Sequence, residues 1–274
     1  MGVGSIAVPL HPAFAFGKFG HQLAGEIGEL YLCETAKQEY RRLNDPYPFA
    51  SAGAWADAVR YQKGFSQTRP WHYINVEGER FNRDVRRSSD GDVLWAIYYN
   101  RQRLVDQSLS KEERQQALLY LIHFVVDLHQ PLHVGYSSDR GGNSVKVRLD
   151  GRKTNLHSVW DTGLLGLEGQ ALPDYVAALR ELSLGNEGLW QSTGPETWLQ
   201  ESLDLRPAVY SFRSAPTTAI LTLREPYLSE SKEIVDVRLA QAGVRLAGVL
   251  NDIWCLGGSE DGAGAGAEPV AAPE

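Results

Sequence analysis

The stretch that most constrains this chain runs from Gln115 to Asp161. Between Ala117 and Leu128 the residues ALLYLIHFVVDL are apolar on nearly every side, which suits a helix buried in a large core. Yet Gln116, Tyr120, His123, Asp127 and Gln130 follow one another at steps of three and four residues, and that spacing stacks them into one polar stripe. A buried carboxylate and imidazole are costly unless something compensates them. Pro131 cannot continue the helix, so the chain turns near Gln130 and returns His133 to the same end. His157 and Asp161 then repeat the i, i+4 pairing of His123 and Asp127. A single His–Asp pair on a helix is more often a structural hydrogen bond than a ligand set. Two such pairs and a third histidine within about forty residues reverse those odds. Three neutral imidazoles and two carboxylates suit a borderline cation such as zinc in an open site. Cysteine ligation is excluded, because Cys33 and Cys255 lie far from each other and from any histidine cluster.

Three segments, HFVVDLHQPLH, the GGN of Gly141–Asn143 and NLHSVWD at Asn155–Asp161, resemble the S1/P1 nuclease family of zinc-dependent enzymes. The likeness extends along most of the chain. It implies the helical fold shared by phospholipase C and P1 nuclease, three zinc ions, and an exported protein, either secreted or periplasmic.

The bulk numbers are compatible with that expectation. The chain has 274 residues, 43% of them hydrophobic, with 7 Trp and 12 Tyr, enough for a sizeable core. No run of about twenty apolar residues is present, so no membrane span is expected. The formal charge of −7 argues against broad non-specific duplex binding, since phosphate backbones attract basic surfaces. Three divalent ions would bring the total close to neutrality and concentrate the positive charge at the site. Cys33 and Cys255 either pair, if the first and last helices pack side by side, or remain free core thiols.

On its residues Met1–Ala15 reads either as an ordinary flexible N-terminus or as a leader ending in Ala13-Phe14-Ala15, an A-x-A-like cleavage site without a basic n-region and with Pro9 and Pro12 in its apolar run; the family-like segment that follows favours the leader. A helix opens at Phe16-Gly17-Lys18-Phe19-Gly20-His21 with Leu23, Ile27, Leu30 and Tyr31 on its core face, while Ala24, Gly25 and Gly28 leave room beside the imidazole. Ala50–Arg60 reads as a second helix with Asp57 and Arg60 on one face, and Pro70–Asn75 as an extended aromatic segment. Asp92–Leu109 is amphipathic, and Ser110-x-x-Glu113 is a capping box that starts the long buried helix. A Gly/Ser loop at Gly135–Gly142 leads to a short hairpin, Ser144–Leu149 followed by the Asp150-Gly151 turn signal. Asn155 is placed to cap the helix bearing His157 and Asp161. Asp174–Leu184 and Thr197–Leu205 read as short helices. Val235, Leu239, Ala242, Leu246, Val249 and Ile253 form the stripe of a long C-terminal one. Gly257–Glu274 is too poor in bulky apolar residues to pack. The expectation is one mainly helical, all-α domain over 16–256 with one small β-hairpin, preceded by the leader 1–15 and followed by the tail 257–274.

Carried over residue by residue, the resemblance implies one zinc on Asp57, His72, His123 and Asp127, and a second on His133, His157 and Asp161. A third would be held by the main-chain amine and carbonyl of Phe16, by His21 and by Asp127. It gives Asp57 and Arg60 catalytic roles, Arg60 also contacting phosphate, and places Tyr73, Asn75 and Asn143 at a nucleobase pocket. The implied activity is endonucleolytic cleavage of single-stranded DNA and RNA to 5′-phosphorylated products, with 3′-nucleotidase activity, by a monomer. The rival readings are a phospholipase C-type zinc phosphodiesterase and a zinc-binding protein without catalysis.

Overall fold

The computed structural model describes residues 16–83, 88–212 and 220–256, so the expected leader and tail lie outside the described residues. The fold is built around the helix that the polar stripe announced. Helix α1 (Gly17–Tyr31), α2 (Glu34–Asn44), α3 (Phe49–Ala52), α4 (Trp55–Val59) and α5 (Val93–Val105) lead to α6 (Lys111–Leu128). After α6 come strands β1 (Lys146–Leu149) and β2 (Arg152–Asn155), then α7 (Leu156–Ser158), α8 (Leu172–Ser183), α9 (Glu187–Gln191), α10 (Pro195–Asp204) and α11 (Arg206–Val209). A two-residue strand β3 (Leu221–Thr222) precedes the long α12 (Tyr227–Trp254). The architecture is mainly helical, as expected.

Helix α6 starts where the capping box places it. Ser110 Oγ accepts the Glu113 amide at 3.2 Å and Glu113 Oε2 accepts the Ser110 amide at 2.9 Å. Its side chains from Ala117 to Leu128 are buried all round, because α5 packs along one flank and α12, α10, α4 and α2 approach the others. One hydrophobic cluster joins α2, α5 and α10 to α6 through Leu121, Phe124 and Val125. A second gathers α1, α8 and the first half of α12 around Trp160, Leu156 and Val147. Val126 of α6 belongs to the second cluster, so one helix joins the two cores.

Several boundaries differ from the sequence reading. The Ala50–Arg60 segment is two short helices, because the chain turns at Gly53-Ala54. Pro70–His72 belongs to a 3-10 helix, Ser66–His72, and only Tyr73 onward is extended. Leu30 is 51% exposed rather than on the core face. The hairpin forms with Lys146 opposite Asn155 and Leu149 opposite Arg152, and Asp150 and Gly151 both adopt positive φ. The short β3 adds parallel to β1 through Val147 and Arg148, giving a three-stranded sheet in the order β2-β1-β3. Cys33 and Cys255 form a disulfide with Cα atoms 6.8 Å apart, resolving the open alternative. Beside it, Asn251 Oδ1 accepts the Cys33 amide and Asn251 Nδ2 donates to the Tyr31 carbonyl.

Candidate metal centre

Six segments deliver the polar residues to one place. His123 and Asp127 come from the last turns of α6, and His133 from a 3-10 turn, Pro131–Val134, directly after it. His21 lies on α1, Asp57 on α4, and His72 at the end of the Ser66–His72 turn. His157 sits on α7, which widens into a π-helical turn at Val159–Gly163 carrying Asp161. Asn155 Oδ1 caps that element by accepting the Ser158 amide at 2.8 Å. All eight side chains are buried.

Their donor atoms converge. Asp127 Oδ2 lies 3.0 Å from both His123 Nε2 and His72 Nδ1 and 3.8 Å from His133 Nδ1, while Asp127 Oδ1 lies 3.3 Å from His21 Nε2. Asp57 Oδ1 lies 3.7 Å from His72 Nδ1 and 3.8 Å from His123 Nε2. His157 Nε2 approaches Asp161 Oδ2 at 3.2 Å, and the His133 and His157 rings stack with centroids 5.1 Å apart. Among the described residues three trios bring one ligand atom each to within 4.8 Å of one another: His21, Asp57 and His123; His72, His123 and Asp127; and His133, His157 and Asp161. The third trio coincides with an expected ligand set. In the other two, His123 is shared, and His21 groups with Asp57 as well as approaching Asp127.

The backbone orients the rings. His123 Nδ1 donates to Gly53 O at 2.6 Å, His157 Nδ1 to Gly141 O at 2.6 Å, and His133 Nδ1 to His72 O. A protonated Nδ1 leaves the Nε2 lone pair available to a cation. The arrangement also leaves buried polar atoms without an aligned hydrogen bond. These include both ring nitrogens of His21, Nε2 of His72 and of His133, Oδ1 of Asp127 and Oδ2 of Asp161. Such atoms are normally paired with protein or water, and here all of those named belong to residues of this one cluster. The nitrogen and oxygen donor set and these orphaned atoms fit a divalent cation.

The electrostatics agree. Burial drives His133 down to about 3 against the pull of Asp127. Burial likewise lowers His21, His72 and His157, whereas at His123 burial is outweighed by Asp127 and Asp57, which raise it. Burial opposes ionisation of Asp127, yet His123 and His133 hold it well below the ordinary carboxylate range. Asp161 is pushed well up by burial, despite hydrogen bonds from Gln130 and the Phe16 amide. A buried carboxylate with that cost is stabilised by a neighbouring positive charge.

Of the remaining expected residues, Arg60 and Phe16 contact this cluster, and Tyr73, Asn75 and Asn143 lie on segments next to its histidines. Arg60, just past α4, pairs with Asp57 through Nη1 at 3.0 Å, and its charge contributes to lowering His157. Phe16 is fully buried at the head of α1 with φ 42°. Its carbonyl accepts the Gly20 amide at 2.9 Å, and its amide faces Asp161. Tyr73 is 44% exposed on a segment that runs beside the third histidine, the Ile74 amide bonding His133 O and the Val76 amide bonding Gly135 O. Asn75 is exposed on that segment. Asn143, half-buried, follows the Gly141-Gly142 turn against His157, and its side-chain amide bonds Arg140 O. The room beside His21 has a different source from the one expected. Gly25 admits the backbone of Ala50 and Gly28 that of Gly243, whereas Gly53 lies against the His21 ring.

Two buried residues were not assigned from sequence. Gln130 was placed in the stripe but given no role; its Nε2 donates to Asp161 Oδ1 at 2.6 Å, joining the end of α6 to the third trio. His129 points away from the cluster. Its Nδ1 donates to Val125 O, and its Nε2 accepts from Arg245 at 3.1 Å. Its i, i+4 relation to Val125 is the only signal in the sequence, and it fits any helical residue.

Comparison with known proteins agrees with the geometry. Residues 16–254 match the S1/P1 Nuclease family model. The chain is 32% identical over 276 aligned residues to Endonuclease 4 of Arabidopsis thaliana, covering 89% of this chain and 91% of that protein. It is 33% identical to Endonuclease 2 of the same plant, over 87% of this chain and 90% of that one. Against Nuclease P1 of Penicillium citrinum the identity is 28%, over 87% of this chain and 97% of the relative. With a buried cluster suited to divalent metal and a match along nearly its whole described length, the chain belongs to the S1/P1 nuclease family and is a hydrolase of the nuclease class.

Proposed function

We propose that this nuclease is a zinc-dependent phosphodiesterase that cuts single-stranded DNA and RNA in preference to duplex. It leaves 5′-phosphorylated products and also removes phosphate from 3′-nucleotides. The observation that carries the reading is the convergence of three donor trios, two of which share His123, with Asp127 beside it on α6 approaching His21, His72 and His133 as well, and with the Arg60 guanidinium paired to Asp57 of the same cluster. Zinc, when held by Asp57, His72, His123 and Asp127, by His133, His157 and Asp161, and by His21 with Asp127 and the Phe16 main chain, supplies Lewis acidity that activates water and neutralises phosphoryl charge. The protein's own residues do the rest. Arg60 binds a non-bridging phosphoryl oxygen, and its pairing with Asp57 fixes the guanidinium before substrate arrives. Water adds to phosphorus and loses a proton, the P–O3′ bond breaks, the departing O3′ takes up a proton to become the 3′-hydroxyl, and the phosphate stays on the 5′-oxygen of the next nucleotide. Tyr73 offers a ring on which an unpaired base stacks, and Asn75 and Asn143 offer amides to its edge. A duplexed base is already stacked and cannot use them, which is the source of the strand preference.

The Cys33–Cys255 disulfide favours an exported enzyme, since such bonds persist in oxidising compartments. No helix of the described residues is long and apolar enough to cross a membrane. We take the enzyme to be a monomer whose catalytic unit is 16–256. The test is metal content measured together with hydrolysis of one oligonucleotide, single-stranded and annealed, before and after chelation. Zinc-restored activity, faster on the single strand and weakened by Tyr73→Ala, is expected. Equal rates on both forms with no effect at Tyr73 would reject the nucleobase pocket, and zinc-free activity would reject the metal assignment.

A further inference from the structure

From Ala58 to Val76 the chain has no Asp or Glu, although the whole carries a formal charge of −7. The same stretch holds Arg60, Lys63 and Arg69 together with Tyr61, Phe65, Trp71 and Tyr73. The structure folds its first half into one surface feature. Tyr61 is 58% exposed, and two guanidinia gather at its ring, Arg60 at 5.0 Å and Arg69 at 5.2 Å from the centroid. Both cations are tied to the metal centre. Arg60 Nη1 is the group that pairs with Asp57, and Arg69 lies on the same 3-10 turn as His72. Lys63 and Arg69 are exposed, as are Gln62 and Gln67 beside them.

Asp57 offsets the Arg60 charge, whereas Arg69 and Lys63 are exposed in a stretch without an acidic residue. An anion is drawn to them, and the Tyr61 ring beside them suits a ligand that is both anionic and aromatic. Single-stranded nucleic acid has that chemistry, with a phosphate for each cation and a base for the ring. We propose that Tyr61, Arg69 and Lys63 form a further nucleotide subsite, occupied by the strand next to the phosphate held at Arg60. A base stacks on the Tyr61–Arg69 surface and its phosphates meet Arg69 and Lys63. This rests on the phosphodiesterase reading above and adds a binding element outside the Tyr73 pocket.

The subsite makes affinity depend on substrate length. KM is measured for thymidine oligonucleotides of two and eight residues with the zinc-loaded enzyme, across a salt series. In wild type the longer substrate has the lower KM. Tyr61→Ala is expected to shrink the ratio of the two KM values roughly fivefold or more, the range of one base–aromatic stack, while Tyr61→Trp preserves it. Arg69→Gln is expected to flatten the slope of log KM against log salt for the long substrate by about 0.7, the value for one phosphate contact on a single strand. A purely structural effect of either change moves both substrates alike and leaves the ratio unchanged. An unchanged ratio and slope in variants of an enzyme that cuts both oligonucleotides would overturn the subsite alone. Failure of the wild-type enzyme to cut either would overturn the phosphodiesterase reading, and the subsite with it.

Discussion

Glu201 on α10 bridges two buried arginines of α12, and its loss is expected to be costly. Glu201 Oε2 accepts Nη1 of Arg238 and of Arg245, each at 2.6 Å, and Oε1 accepts Nη2 of Arg245 at 2.7 Å. Both guanidinia are 2% exposed, and burial lowers Arg238 only to about 10, so it remains charged at neutral pH. Removing one partner of a fully buried pair costs about 3–5 kcal/mol, mostly through the charge left behind. The Glu201 side chain keeps 32% exposure, and Trp198 O, Ser202 Oγ, Gln241 Oε1 and His129 still accept from the arginines. Glu201→Gln should therefore cost about 2–4 kcal/mol. With an unfolding entropy of ~2.1 cal/mol/K per residue, a body of this size loses about 4–8 °C of Tm. The exposed Arg42–Glu39 pair is the internal control, since Glu39→Gln should change stability by less than about 1 kcal/mol. Burial alone would raise the Glu201 carboxyl, but Arg245 and Arg238 hold it below its ordinary 4.5. A depressed carboxylate contributes stability that is complete above the unfolded value and is lost as pH falls through the folded one. The difference between wild type and Glu201→Gln should thus be constant at neutral pH and narrow only below about 4.5. Urea and thermal unfolding at several pH values measure it. Equal effects of Glu201→Gln and Glu39→Gln at neutral pH would refute the reasoning.

Two further outcomes follow from the metal centre. Asp127→Asn should remove bound zinc and lower activity together by roughly a hundredfold or more, beyond the ~10–100-fold typical of an outer-shell partner. His157→Ala, which spares the carboxylate shared by His21, His72 and His123, should cost less; zinc content and turnover of the two variants decide the order. A chain beginning at Phe16 should bind its third zinc more tightly than one retaining residues 1–15, because a free amine coordinates zinc and a peptide nitrogen does not. Zinc titration of the two forms checks this, and equal affinity would remove the main chain of Phe16 from the ligand set.

The site was more legible in the sequence than the scaffold that holds it. The step of three and four along α6 reports directly on one helical face, so His123 and Asp127 could be paired without knowing their neighbours. The capping box at Ser110, the Asp150-Gly151 turn and the Asn155 cap are equally local, and each appears where its residues place it. Contacts between distant segments carry no such periodicity. Nothing near Glu201 in sequence announces Arg238 or Arg245, and Cys33 and Cys255 are separated by 222 residues. Leu30 fits the apolar stripe of α1 yet faces solvent at 51% exposure, because helical phase alone cannot tell where the covering element ends. The break at Gly53-Ala54 was hidden for a related reason. An alanine-rich run favours helix locally, whereas tertiary packing brings Gly53 against the His21 ring and its carbonyl to His123.

That carbonyl belongs to a set with an evolutionary consequence. The acceptors that orient His123, His133 and His157 are the main-chain oxygens of Gly53, His72 and Gly141. Every amino acid carries that oxygen, so no codon change deletes an acceptor by itself. What mutation can reach is the path of the loop. At Gly141, with φ +57°, a Cβ would stand 2.4 Å from Leu132 O, so any other residue displaces the turn and turns the His157 ring with it. Variation in ring orientation therefore has to act through the residues that set these loops, Gly141 among them.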